Sequence, residues 1–89
     1  MKKIVEISYN EINKIYLFHS EMQTYATLVN IFSANFEREN KELSQVRYKI
    51  TLNSYYSYLY EILHTHNEVA NIGDKIIVDY KNSALIVYN

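Results

Sequence analysis

Apolar residues recur through the first half of the chain at alternating steps of three and four: Ile15, Phe18, Met22, Tyr25, Val29, Phe32 and Phe36. That spacing keeps one residue per turn on a single helical stripe. Leu17, Leu28 and Ile31 widen the stripe, so the helix has more than one neighbour. Its start is written in Ser8-Tyr9-Asn10-Glu11, a Ser-x-x-Glu capping box. The Ser8 hydroxyl can accept from the Glu11 N–H, and the Glu11 carboxylate can accept from the Ser8 N–H. Ile7 and Ile12 stand where a hydrophobic staple puts its two apolar residues. A helix of roughly 27 residues, about 40 Å long, is predicted.

A second seam, Tyr48, Leu52, Tyr55, Leu59, Ile62, His66 and Val69, predicts a helix from Glu39 or Lys41 to Glu68 or Ala70. Leu43, Val46 and Ile50 lie off this seam, so that stretch packs differently or the helix bends there. Between the seams, residues 34–41 (ANFERENK) replace the apolar pattern with charge and Asn. This is the expected turn of an antiparallel helical hairpin. The alternative is one continuous helix covered by a partner chain. Asn71-Ile72-Gly73-Asp74 is expected to end the second helix, because Gly or Asn supplies the left-handed residue of a C-cap.

Beyond it the period changes to two. Lys75–Tyr80 and Ala84–Tyr88 are β-branched runs around Lys81-Asn82-Ser83, a hairpin signal. With Tyr80 opposite Ala84, one face would carry Ile76, Val78, Tyr80, Ala84, Ile86 and Tyr88. The other would carry Ile77, Asp79, Leu85 and Val87. Lys3–Ile7 reads as a short N-terminal strand that either joins this sheet or stays apart from it. The fold class is therefore α+β, in the order β-α-α-β-β, with residues 1–89 as a single domain.

Composition narrows the function. With 89 residues, one small core is all that fits, and 48% apolar content is enough to form it. Net charge is -1, without a basic tail or acidic run, which speaks against nucleic acid and anionic membranes. There are no cysteines, and the expected location is cytoplasmic. The opening MKKIVEIS is interrupted by Glu6 and does not read as a signal peptide, and no run reaches membrane-spanning length. Pro is absent and Gly occurs once, so loops are expected to be few and short. Abundant Asn, Lys, Ile and Tyr fit the coding bias of an AT-rich bacterial or phage genome.

No chemistry emerges from the motifs. His64 and His66 are two apart, which on a helix turns them about 200° from each other, so no metal site is expected. The reading is an exposed His64 and a partly buried His66. Glu61 and Asp79 are the carboxylates nearest apolar sequence, but a catalytic pair needs a cleft that a chain this small scarcely has. There is no Gly-rich loop and no G-x-S-x-G. The chain is expected not to be an enzyme and to need no cofactor.

The tyrosines remain. Asn53–His66 carries Tyr55, Tyr56, Tyr58 and Tyr60 around nearly the whole circumference of a helix. Tyr55 fits the seam, and Tyr58 and Tyr60 are left over. A large apolar ring with a polar tip suits an interface. The expected protein-binding residues are Tyr58, Tyr60 and Tyr56 on the helix, with Asp79, Tyr80 and Tyr88 on the hairpin. Equally, Tyr is frequent in this composition and sits readily at half-buried positions.

Tyr55-Tyr56-Ser57-Tyr58-Leu59-Tyr60, and Ile76–Tyr80 followed by Leu85–Tyr88, carry a resemblance. The layout resembles the small accessory proteins encoded beside radical-SAM enzymes that mature ribosomal peptides, the splicease partners and CXXX-repeat modification proteins. It covers roughly the C-terminal half, and the Trp common in such proteins is missing here. The resemblance implies a non-catalytic partner of a maturase or its precursor peptide. The enzyme, not this Cys-free chain, would hold the iron–sulfur cluster. Two further readings stand beside it. One is a phage or mobile-element inhibitor that occludes a host defence enzyme; the other is a homodimeric structural module joined through the helix seams.

Overall fold

The computed structural model describes residues Met1–Asn89 and shows the expected order: β1 (Lys2–Glu6), α1 (Tyr9–Ala34), α2 (Arg38–Thr65), β2 (Lys75–Asp79) and β3 (Ala84–Tyr88). The helices form an antiparallel hairpin and the strands one antiparallel sheet in the order β1-β3-β2. The N-terminal strand thus joins the hairpin, with the last strand in the middle. Contacts along the chain fall into two units. A sheet unit comprises Met1–Ile15 and Ser57–Asn89; a helical unit comprises Tyr16–Tyr56.

The start of α1 is built as its sequence dictates. The Ser8 N–H donates to Glu11 Oε1 at 2.8 Å, and the Glu11 N–H donates to Ser8 Oγ at 3.1 Å. Ile7 and Ile12 are both buried beside this cap.

The helix ends are less conventional. After α1, the Glu37 N–H reaches the Phe32 carbonyl and the Phe36 N–H the Ser33 carbonyl, with Phe36 at φ +58°. This is a Schellman motif whose left-handed position holds a phenylalanine. After α2, the Glu68 N–H bonds to the Leu63 carbonyl and the Asn67 N–H to the His64 carbonyl, with Asn67 at φ +59°. The second helix therefore stops at Thr65, short of the expected Glu68 or Ala70. Asn67 supplies the left-handed residue, so the cap lies upstream of Asn71–Asp74. Val69, expected on the seam, lies beyond the helix and is exposed. Gly73, at φ +97°, serves a separate turn in which the Asp74 N–H bonds to the Asn71 carbonyl.

The core belongs almost wholly to the sheet unit. Val5, Ile7, Ile12, Ile15, Leu59, Ile62, Leu63, Ala84, Leu85 and Val87 are buried there. The central strand contributes three of them: Leu85 and Val87 lie on its covered, odd-numbered face, and the small Ala84 is buried on the other face between Glu6 and Asp79.

The hairpin register differs from the expectation by one residue. Asp79, not Tyr80, stands opposite Ala84, and the turn holds four residues, Tyr80–Ser83, with Ser83 at φ +47°. The extra turn residue moves every β2 side chain to the opposite face. Ile76 and Val78 therefore join Val87 and Leu85 facing the core, together with Lys3 and Val5 of β1. Ile77 and Asp79 turn outward with Ile86 and Ala84.

Candidate protein-interaction site

In the sheet unit a polar cluster joins the start of α1 to the end of α2. Glu11, already bonded by Ser8, also receives His66 Nε2 at 3.0 and 3.3 Å. A carboxylate has no proton to give, so Nε2 carries the hydrogen. Burial by itself would raise the Glu11 pKa. The Ser8 and His66 hydrogen bonds outweigh it and hold the carboxyl below its ordinary value. Next to this pair, Lys14 Nζ sits 4.4 Å from the centre of the Tyr58 ring, a cation–π contact. Burial, then the negative charges of Glu11 and Glu61, push the Tyr58 hydroxyl up, so it stays protonated. Tyr58 is thus half-buried and tied to α1. The cluster's role in the fold is to fasten two helix termini together, with the imidazole placed just past the electronegative C-terminus of α2.

The other expected residues scatter. Tyr56, in the helical unit, is 47% exposed and meets Tyr55 edge-on, with ring centres 5.4 Å apart. Tyr60 and Tyr80 are exposed, Tyr60 on α2 and Tyr80 in the hairpin turn. Asp79 is engaged by the turn itself. Its Oδ2 accepts from Asn82 Nδ2 at 2.8 Å, and its Oδ1 accepts from the Asn82 N–H at 3.2 Å. The Asn82 side chain first, then its N–H, holds the Asp79 carboxyl below the ordinary range. An Asp within a β-branched run is therefore accounted for by turn chemistry. His64 is exposed and His66 half-buried, as the sequence indicated. No group of three His, Cys, Asp or Glu side chains gathers anywhere.

Tyr88 is the expected residue that the fold sets in a coherent surface. The register lays out three cross-strand rows on the outward sheet face: Lys2–Tyr88–Lys75, Ile4–Ile86–Ile77 and Glu6–Ala84–Asp79. Directly opposed side chains in such rows have Cβ atoms about 5 Å apart. The face therefore grades from a basic row holding an aromatic ring, through an isoleucine row, to an acidic row. Ile4 is 62% exposed, Tyr88 39% and Ile77 36%. An outward face of a small antiparallel sheet ordinarily alternates to polar residues. The expected register sent Ile77 to the opposite face from Ile86 and Tyr88, and whether the N-terminal strand joins the sheet was open, so Ile4, Ile77, Ile86, Lys2 and Lys75 were not expected to share a surface. An even-numbered turn was the signal that would have found them.

A second uncovered surface lies in the helical unit. Leu43, Val46 and Ile50, the off-seam residues of α2, are 53%, 53% and 60% exposed. The positions of α2 buried there are instead Ser44 and Thr51, and the Thr51 hydroxyl donates to Glu21 at 3.4 Å. Comparison with known proteins finds no matching family model, no matching curated protein and no matching solved structure.

Proposed function

We propose that this chain is a non-catalytic protein-binding subunit that engages its partner through the outward face of the sheet. One observation carries the reading: the Ile4–Ile86–Ile77 row lies uncovered beside Tyr88, which stands between Lys2 and Lys75. Contiguous apolar surface with an aromatic anchor and charged edges is the composition of a protein interface. The basic and acidic rows at its two ends fix the direction in which a partner docks. The resemblance to accessory proteins of radical-SAM peptide-maturation systems suggests the partner class, a maturase or its precursor peptide.

The test is affinity capture from native cell extract with wild type, Tyr88→Ala and Ile77→Ser. Both substitutions are outward-facing and leave the covered face intact. Loss of one defined partner by both variants, with unchanged circular dichroism, supports the proposal. Equal recovery by all three proteins refutes it, and identifying the captured partner tests the maturase class.

A further inference from the structure

The helical unit is deficient in core. Of the buried apolar residues, only Met22 belongs to it, while Leu43, Val46 and Ile50 form an aliphatic stripe in solvent. These three residues follow the three–four spacing that lines one face of a helix. With Tyr25 of α1 they line a groove of about 350 Å³, which Glu21 and Arg47 also border. The small buried residues of α2, Ser44 and Thr51, offer little apolar area inside the hairpin. Leu28, Val29, Phe32 and Leu52 are only half-buried, and Leu43, Val46 and Ile50 stay in solvent.

We infer that a second copy of this chain covers the stripe, with the two α2 helices crossing antiparallel about a two-fold axis at Val46. Two arguments select a second copy. The first is self-complementarity. In antiparallel pairing around Val46, Leu43 comes within one residue's rise of the second copy's Ile50, and Ile50 of its Leu43, so the stripe covers itself. Glu42 and Lys49 lie seven residues apart on one flank of the stripe, so each Glu42 comes beside the other copy's Lys49. Parallel pairing would instead bring each Glu42 beside the other copy's Arg47 and each Lys49 beside its Ser54, leaving Lys49 without an acidic partner. Arg47, on the other flank, approaches its own symmetry mate. Glu21 borders the same groove and offsets that like charge.

The second argument is exposure: Leu43, Val46 and Ile50 are 53%, 53% and 60% exposed, a row of large apolar side chains on successive turns that the hairpin itself leaves uncovered. The dimer carries two copies of the sheet face, so a partner bound by that face is presented twice. This inference does not depend on the sheet-face reading, since each surface has its own variants.

The chain contains no cysteine, which makes the test direct. Light scattering after size exclusion at micromolar concentration is expected to give about 21 kDa, twice the chain mass. Val46→Glu faces two carboxylates across the axis and should weaken association by roughly 100-fold or more, with helicity unchanged. Glu42→Lys alone should also dissociate the pair, and the swap Glu42→Lys with Lys49→Glu should restore it. Under mild oxidation Val46→Cys should cross-link to itself. Leu43→Cys alone should not, because antiparallel pairing keeps the two cysteines about 10 Å apart along the axis. The double variant Leu43→Cys with Ile50→Cys should. A wild-type monomer, a swap that fails to restore association, or Leu43→Cys that cross-links as readily as Val46→Cys would each overturn the inference.

Discussion

The two units spend the same apolar alphabet differently. In the sheet unit, Leu59 and Ile62 of the α2 seam and the neighbouring Leu63 reach near-zero exposure, and β3 adds Leu85 and Val87. In the helical unit the same helix buries Ser44 and Thr51 and exposes Leu43, Val46 and Ile50. A layer of sheet gives a helix a second surface to pack on, whereas a two-helix hairpin gives each helix only one neighbour. Helical stability in proteins comes mainly from tertiary packing of an apolar face. The sheet unit has that packing within the chain; the helical unit leaves its Leu43–Val46–Ile50 stripe in solvent.

The largest expected effect tests where stability resides. Leu59→Ala removes a fully buried side chain and should destabilise by about 3 kcal/mol, in the range for large-to-small core changes. Ile50→Ala, at an exposed position, should change the stability of the monomer by less than about 0.5 kcal/mol. Urea midpoints of the two variants measure the contrast. Similar losses at both sites would mean that the helical unit is supported within the chain after all.

Acid should loosen the sheet unit first. The Glu11 carboxyl is held below its ordinary value, so its contribution is fully present above the unfolded value near 4.5 and is lost as pH falls through the folded value. Glu11→Gln keeps a cap acceptor but removes the charge, and should flatten the pH dependence of stability below pH 4.5. Ser8→Ala at neutral pH should cost about 1 kcal/mol through loss of the N-cap. Thermal melts across the acid range read both effects, and an unchanged pH profile for Glu11→Gln would remove this role from the Glu11–His66 pair.

Phe36→Gly sharpens the comparison in the opposite direction. Phe36 holds a left-handed backbone and is 94% exposed, so it is strained without being packed. Glycine has no Cβ penalty there and should stabilise the helical unit by about 1 kcal/mol. A decrease in stability would show that the ring is engaged in solution. The smallest effect is kinetic: amides of residues 38–56 should exchange faster than those of β3, and faster still in Val46→Glu, as read by hydrogen exchange.

Local signals were the legible part of this fold. The capping box, the staple and the three–four seams are read from residues a few positions apart, and α1 begins as they specify. The turn between the helices was legible as a break in pattern, although its left-handed residue, Phe36, was not, since Gly or Asn is the residue usual at such a position. The candidate site was harder. Its tyrosines were visible, but Tyr58 is taken up by Lys14 and Asp79 by Asn82, while Ile4 and Ile77 emerged only with the register.

By itself the sequence determined the element order, the α+β class and the start of the first helix, because period and capping act over one or two turns. Only the tertiary structure decided which face of each strand is covered and which apolar residues of α2 are left in solvent. One turn residue more or fewer inverts a strand, and a helix with two apolar stripes buries whichever one meets a neighbour. Those choices are settled by contacts between segments far apart in the chain, and local pattern carries no record of them.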